Sequence, residues 1–441
     1  MTAAIRDNLT NAYNATTAGA KVGPAGLPRL LPATGQPMEL AEHLRVHGRT
    51  PYRGGAKMLI HTIESAGLTG RGGAAFPTHR KLTAVASQKG SPVVVGNGAE
   101  GEPASDKDKR LLWFSPHLVL DGLQLAAEAV GARQVHLYLH REPMLEQRVH
   151  SALAERASTG LDRIAVNLVT APHRFLAGEE SALANRVEGG AALPRFTPPR
   201  IFERGVGGAP TLVQNIETLA HLALISRYGP AWFRSVGTKA EPGSMLTTLR
   251  RADGSGGIAE TAIGTPIAEL LRLAEHPARA VLVGGYHGAW LTPEQARHLT
   301  LSNADLRPLG AAVGAGVLAA LPADRCGIVE SARVVRYLAL ESAGQCGPCL
   351  NGLPRIAATL SQLADHRSAP SARDDLARWS QLVERRGACH HPDGTVRFLR
   401  SALTVFADEV ALHESGRCSA ATTKPFLPIP TASPAYEQDW S

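Results

Sequence analysis

The feature that most narrows what this chain can fold into lies near its C-terminus: Cys346-Gly347-Pro348-Cys349, followed forty residues later by Cys389-His390-His391. Two thiolates two residues apart can hold one metal centre, and a third from another segment closes it, so the chain must bring Cys346, Cys349 and Cys389 together. Iron–sulfur and zinc both suit that donor set, zinc with His390 or His391 as the fourth ligand. Buried structural thiols are the bland alternative. The five cysteines in 441 residues crowd toward the C-terminus, with only Cys326 detached from the group. Such clustering indicates metal or redox chemistry rather than a disulfide framework.

The segments around these cysteines read as helices. Leu353, Ile356, Leu360 and Leu363 recur at spacings of three and four, as do Leu376, Trp379 and Val383, and Val396, Leu399, Leu403, Phe406 and Val410. With a helix over Ile328–Leu340 that makes four, and a bundle is the economical packing. The Pro-, Thr- and Ser-rich stretch after Cys418 reads as an extended arm. Upstream the rhythm alternates: strand Ser91–Val95, helix Leu118–Ala129, strand Gln134–His140, helix Met144–Ala157, strand Arg163–Thr170. This predicts an α/β domain with a largely parallel sheet. From Gly237 short strands at Met245–Arg250 and Ala280–Gly284 flank a helix at Pro266–Ala274, which predicts a small β-rich domain. The expected units are an N-terminal arm at 1–50, an α/β domain at 51–236, a small domain at 237–325, the bundle at 326–418 and a tail at 419–441.

Three polar patches precede the cysteines. In Gly70-Arg71-Gly72-Gly73-Ala74-Ala75-Phe76-Pro77 the glycines let backbone amides approach a phosphate, Arg71 adds charge and Phe76 a ring to stack on, with Lys81 close behind. A tight turn is the plain alternative. Asn97-Gly98-Ala99-Glu100-Gly101-Glu102 follows the first strand, where ligands of open α/β sheets bind; a solvated turn would look the same. Gly178-Glu179-Glu180 sets two acids at a helix start, where carboxylates are stabilising without any function.

Composition removes other classes. The longest mostly apolar stretch, Ala311–Leu321, is too short to span a bilayer. The first 21 residues lack the basic start and apolar run of a secretory signal, so a cytoplasmic protein is expected. The net charge is +7, but 38 of the 46 basic residues are arginines scattered among acids, which argues against nucleic acid and is compatible with an acidic redox partner.

The strings GRGGAAFPTHRK, GNGAEGEPASDKD, AGEESALANRVEGG, GAPTLVQNIETLAHL and ESAGQCGPCLNG resemble the flavin-bearing, NADH-oxidising subunit of respiratory complex I and its relatives in soluble hydrogenases and formate dehydrogenases. The likeness spans roughly Gly54 to Val410. It implies an FMN domain, a small ubiquitin-like domain of the SLBB type, and a four-helix bundle holding a 4Fe–4S cluster. It also implies hydride transfer from NAD(P)H to FMN and single-electron release through the cluster to a ferredoxin or partner subunit. By position, Gly70, Arg71, Gly72, Gly73, Lys81, Asn97, Glu100 and Asn215 would contact FMN. Phe76, Glu102, Gly178, Glu179 and Glu180 would face the nicotinamide nucleotide, with the three glutamates nearest the chemistry.

The departures from that family are as informative. Ala343 stands where the family begins its cluster motif with a Cys, leaving three expected thiolates. The options are a three-iron cluster (3Fe–4S), a four-iron cluster with His390, His391 or Cys418 as substitute ligand, or zinc. A continuous helix over Thr395–His413 would carry Cys418 about 28 Å from Cys389, so Cys418 needs a break or return of the chain. Ala99, Phe175 and Arg200 replace an Asp, a Tyr and an aromatic. Arg200 adds charge that could favour the NADP phosphate. The competing reading is a cluster-bearing or zinc-bearing subunit that no longer oxidises nicotinamide.

Overall fold

The structure, a computed structural model, describes residues 26–430 and Trp440. The segment expected to be loose at 1–21 lies outside the described residues, as does most of the end of the tail. In the first half, helices α1 (Leu40–His47), α2 (Ala56–Ala66) and α3 (Thr78–Ala86) lead into strand β1 (Val93–Asn97). Then come α4 (Lys107–Phe114), α5 (Pro116–Val130), β2 (Gln134–His140), α6 (Pro143–Ser158), β3 (Val166–Ala171), α7 (Glu180–Val187), β4 (Thr211–Asn215) and α8 (Ile216–Phe233). The four strands form one parallel sheet in the order β3-β2-β1-β4. Val93, Val94 and Val95 are all buried, the continuous apolar run expected of a parallel strand covered on both faces. Against the other face of the core, α5 crosses α8 so closely that a Cβ on Gly122 would lie 2.1 Å from the Leu219 carbonyl oxygen.

That strand order matters for function. The chain moves outward from β1 through β2 to β3 and then places β4 on the opposite side of β1, so the order reverses between β1 and β4. The crevice beyond the carboxyl ends of two such strands is where open α/β sheets bind ligands. Asn97 and Asn215 end these two strands and are directly paired in register.

A second, mixed sheet follows, with β5 (Ser244–Arg250), β6 (Gly256–Ala262), β7 (Ala278–Val283), β8 (Ala289–Leu291) and β9 (Val317–Pro322) in the order β6-β5-β9-β7-β8. Where one helix was expected, three short ones occur, α9 (Ile267–Leu271), α10 (Pro293–His298) and α11 (Asn303–Leu306). The signal for α10 was present: Pro293 opens it and Thr292 with Gln295 forms a capping box.

The C-terminal part holds α12 (Gly327–Leu340), α13 (Leu353–Ala364), α14 (Ala372–Val383), α15 (His391–Val405) and α16 (Ala407–Glu414). The periodicity predicted four helices; the last is broken in two at Phe406, whose backbone leaves helical geometry. Its ring seats on Gly327, where a Cβ would come within 2.2 Å, and lies edge-on to Trp290 at 5.4 Å. Tertiary packing thus overrides an unbroken apolar stripe. The tail to residue 430 is extended but pinned, because the Phe426 and Leu427 amides donate to the two oxygens of Glu330.

Candidate flavin and cluster site

The glycine-rich loop closes on itself through the Gly70 amide donating to the Phe76 carbonyl at 2.9 Å, and Phe76 stands half exposed on its rim. Gly72 is pressed to Asn215, with room for a Cβ only 3.2 Å from the Asn215 Cβ, and Gly73 takes a φ of 114° that favours glycine. The loop therefore overhangs the β1/β4 crevice. Arg71 departs from the expectation of a phosphate-facing charge. Its side chain is buried, donating to the Ser244 and Thr69 carbonyls, while its amide donates to Thr218 Oγ1 at 2.8 Å. The guanidinium holds the loop to the second sheet instead of reaching into the crevice.

Asn97 and Asn215 are set by the strand ends. Asn97 Nδ2 donates to the Gly178 carbonyl at 2.8 Å, and Asn215 Nδ2 donates to Asp108 at 2.7 Å while its oxygen caps α8. Beneath them lies a buried charged group that the sequence reading missed. Lys107 Nζ sits 2.7 Å from Asp108 and 2.9 Å from Glu217, all three nearly inaccessible. The clue was available in Asp106-Lys107-Asp108 directly after the second motif and Glu217 two residues beyond Asn215. Glu100 joins from the loop, accepting from Ser105 and from the amides of Lys107 and Asp108 at the start of α4. Burial, with Asp108 adding to it, pushes the Glu100 carboxyl up to about 8.

Glu102 reaches to the second sheet and accepts from the Tyr286 amide at 2.7 Å and the Ala104 amide at 3.1 Å. Burial raises its carboxyl to about 7 in spite of those two donors. Glu179 caps α7, its Oε2 accepting from the Ser181 and Ala182 amides, so for this residue the purely structural role is real. Glu180 is exposed and paired with Lys81. This pair ties the third patch to the first.

The crevice and the cysteines share a wall, the short turn Phe175–Gly178. On the crevice side a Cβ on Gly101 would lie 2.3 Å from the Phe175 oxygen and one on Gly178 would lie 2.8 Å from the Ala99 oxygen, so the two backbones touch. On the other side Cys389 and Ala343 pack into the same apolar group as Leu176 and Ala177. The bundle is held there by Glu341, which pairs with Arg174 at 3.1 Å and accepts the Phe175 amide at 2.8 Å.

Cys346, Cys349 and Cys389 converge as expected. Burial, with neighbouring Cys346 and Cys389 adding to it, pushes the Cys349 thiol up to about 12. Three thiolates in that place call for a cationic centre between them, which an iron–sulfur cluster supplies. The donor set fits such a cluster with one iron lacking a cysteine, since Ala343, which packs on the same apolar group as Cys389, brings no ligand atom.

None of the substitute ligands expected from the sequence occupies that place. His391 is buried and uses both ring nitrogens, toward the Leu338 carbonyl at 2.8 Å and His287 at 3.1 Å, and burial lowers it to about 4. His390 is fully exposed and faces Asp393. Cys418 does turn back after the break at Phe406, but it joins Cys326, Glu409 and His413 at the far end of α13.

Residues 63–224 match the family described as the Nuo51 FMN-binding domain, and residues 330–413 match the NADH-ubiquinone oxidoreductase-F iron-sulfur binding region. The chain is 30% identical over 380 residues to the NADH-quinone oxidoreductase-F protein of Streptomyces coelicolor, covering 81% of this chain and 83% of that protein. The chain belongs to the NADH-quinone oxidoreductase-F family. A relative of the same kind from Rhizobium meliloti is 29% identical over 378 residues, covering 82% of this chain and 90% of the relative. Two crystal structures of an NAD+-reducing NiFe hydrogenase superpose with TM-scores of 0.75 and 0.76 at 28% identity, over 82% and 89% of this chain. The chain spans 63% and 67% of those hydrogenase chains. As a member of the oxidoreductase-F family it is an oxidoreductase component with an FMN-binding domain and a 4Fe–4S region. Among the described residues no helix is long and apolar enough to cross a membrane.

Proposed function

We propose that this oxidoreductase-F homologue oxidises a nicotinamide nucleotide at the β1/β4 crevice and delivers electrons one at a time to a cluster on Cys346, Cys349 and Cys389. The observation that carries this reading is the shared Phe175–Gly178 wall, which brings the crevice loop into backbone contact with the apolar group around Cys389. FMN, when bound, supplies the conversion of a hydride into two single electrons. The chain's own groups do the rest. Gly70, Gly72 and Gly73 offer backbone to the flavin phosphate, Asn97 and Asn215 present amides at the strand ends, and Lys107 sets a positive charge under them. Glu102 and Phe76 face the nucleotide, and Glu179 shapes its wall by capping α7.

The second sheet reads as the ubiquitin-like SLBB-type unit, with boundaries at 51–236, 237–325 and 326–418 for the three parts. A ferredoxin or a partner redox subunit in the cytoplasm is the proposed acceptor. The loop at 195–208 borders an open cavity of about 360 Å³ lined by Arg195, Phe196, Arg204 and Glu188, and Arg200 stands exposed between the lining residues Pro199 and Ile201. This added charge suits a 2′-phosphate, so NADPH is a proposed substrate alongside NADH. Zinc in the cysteine triad and a non-oxidising role have no observation in their favour.

Anaerobic reduction tests the reading. NADH should bleach the flavin absorbance and then develop a paramagnetic signal from the cluster. Cys349→Ser should keep the first response and lose the second. Absence of bleaching by either nucleotide would overturn the assignment, and rapid bleaching by NADH with none by NADPH would remove the Arg200 part.

A further inference from the structure

The strongest feature outside the flavin and cluster site is a second convergence of donor atoms. Cys326, Glu409, His413 and Cys418 each bring one ligand atom to within 4.8 Å of all the others. Three are almost wholly buried, and Cys418 is half-buried. We propose that these four residues form a zinc site, separate from the iron–sulfur centre, that clasps the C-terminal tail to the bundle.

The geometry argues for a tetrahedral cation. Cys326 Sγ lies 3.3 Å from His413 Nε2 and 3.9 Å from Glu409 Oε1, and that oxygen is 3.4 Å from His413 Nε2. A tetrahedron with bonds of about 2.3 Å to sulfur and about 2.0–2.1 Å to nitrogen or oxygen has edges of roughly 3.3–3.8 Å. The Cys326, Glu409 and His413 donors already stand close to those edges, and Cys418 completes the set within 4.8 Å of each. Two thiolates, an imidazole and a carboxylate are a zinc set, too soft for magnesium or calcium.

Each donor is also oriented from behind. His413 Nδ1 is bonded to the Leu363 carbonyl at 3.1 Å, which places its proton there and leaves the Nε2 lone pair facing the centre. Stacking on His366 at 4.2 Å fixes the ring plane. Glu409 has Oε2 paired with Arg279 at 3.1 Å, turning Oε1 inward. Two thiolates, a carboxylate and a zinc ion sum to −1, which the Arg279 guanidinium balances. The Cys326 sulfur caps α12 by accepting from the Val329 amide at 3.5 Å, and Cys418 sulfur accepts from the Ala420 amide at 3.4 Å.

Sequence supplies the arrangement economically. Glu409 and His413 are four residues apart on α16 and share a face. Gly416, with a φ of 75°, ends the helix, and the Ser419 amide donates to Glu409 at 2.9 Å, turning Cys418 inward. The site lies at the opposite end of α13 from the cluster. Leu363 is fourteen residues beyond Cys349 along a helical path, roughly 20 Å at 1.5 Å per residue. One centre cannot use both thiol groups.

Metal analysis of the whole protein, purified anaerobically with flavin and cluster in place, tests the assignment. About one zinc per chain is expected beside the cluster iron. Cys418→Ser combined with His413→Gln should lower zinc at least about tenfold while iron and flavin stay, and Cys349→Ser should lower iron while zinc stays. Because the double variant can misfold, zinc-edge X-ray absorption on the unaltered protein gives an independent reading. Two sulfur neighbours at about 2.3 Å and two nitrogen or oxygen neighbours at about 2.0–2.1 Å are expected. Zinc well below one per chain, zinc lost with Cys349→Ser, a shell of four sulfurs or of none, or a Cys326–Cys418 disulfide in place of metal would each overturn it.

Discussion

At the scale of single residues, the acids of the crevice divide by what surrounds them. Glu102 is held near neutrality, up to about 7 from an ordinary 4.5, because it is buried and only two amides face it. A carboxyl raised in the folded state binds its proton more tightly there than in the unfolded chain, so its contribution is full below about 4.5 and fades as pH rises through 7. In chemical denaturation, the stability of the wild type relative to Glu102→Gln should therefore fall by about 1–3 kcal/mol between pH 4.5 and 8; a difference that is flat with pH would contradict this. Lys107 is the reverse case, a cation enclosed by Asp108, Glu217 and Glu100, whose charges keep its proton bound despite burial. Lys107→Met would strand those carboxylates and should cost about 3–5 kcal/mol in urea unfolding. The anchoring of Glu102 was not legible in sequence, because its partner comes from residue 286, and for Lys107 the neighbouring Asp108 gave a clue while Glu217 stands 110 residues away. Arg71 shows the same limit: its place in a glycine loop was visible, but the direction of its side chain depends on backbone carbonyls more than 170 residues away.

At the scale of elements, sequence periodicity was a good guide wherever packing was uniform. Strand β2 begins and ends where alternation placed it, and α5, α6 and α12 came within two residues at either end. It was a poor guide where one side chain had a stronger claim elsewhere. Phe406 fits the apolar stripe of a single long helix, yet Gly327 and Trp290 offer a pocket that only a broken helix reaches. The cysteine triad was legible for the opposite reason, since three thiols with nothing else in common need a shared centre. The missing fourth ligand was legible too, though no residue now stands in for it. The contact between the crevice loop and the Phe175–Gly178 turn was not, since it depends on two glycines having no side chain. Gly101→Ala would drive a methyl to 2.3 Å from a carbonyl oxygen. It should destabilise the fold by about 1–3 kcal/mol and release FMN, read as flavin lost on gel filtration.

For the whole molecule, the second sheet and the bundle share one apolar core, in which Leu282, Trp290 and Leu321 meet Ile328, Phe398 and Phe406, and two polar contacts tie the parallel sheet to them. Glu102 links the parallel sheet to the second one through Tyr286, and Glu341 links the bundle to Arg174 and Phe175. Both ends of the second link are nearly inaccessible, so removing the Arg174 charge weakens a buried ion pair. Arg174→Met should detach bundle from sheet before either unfolds, seen as two thermal transitions where the wild type has one, and electron arrival at the cluster should slow more than flavin reduction does.

The turn between crevice and cysteines is a wall two backbone layers thick, with no space for even a methyl group at Gly101. A gap that excludes a methyl also excludes a file of water molecules. Water and dissolved oxygen therefore cannot pass from the crevice to the cysteines at Gly101, whereas the exposed Phe76 leaves the rim open to solvent, so protection against stray oxidation is needed at the mouth of the site more than at this part of its back.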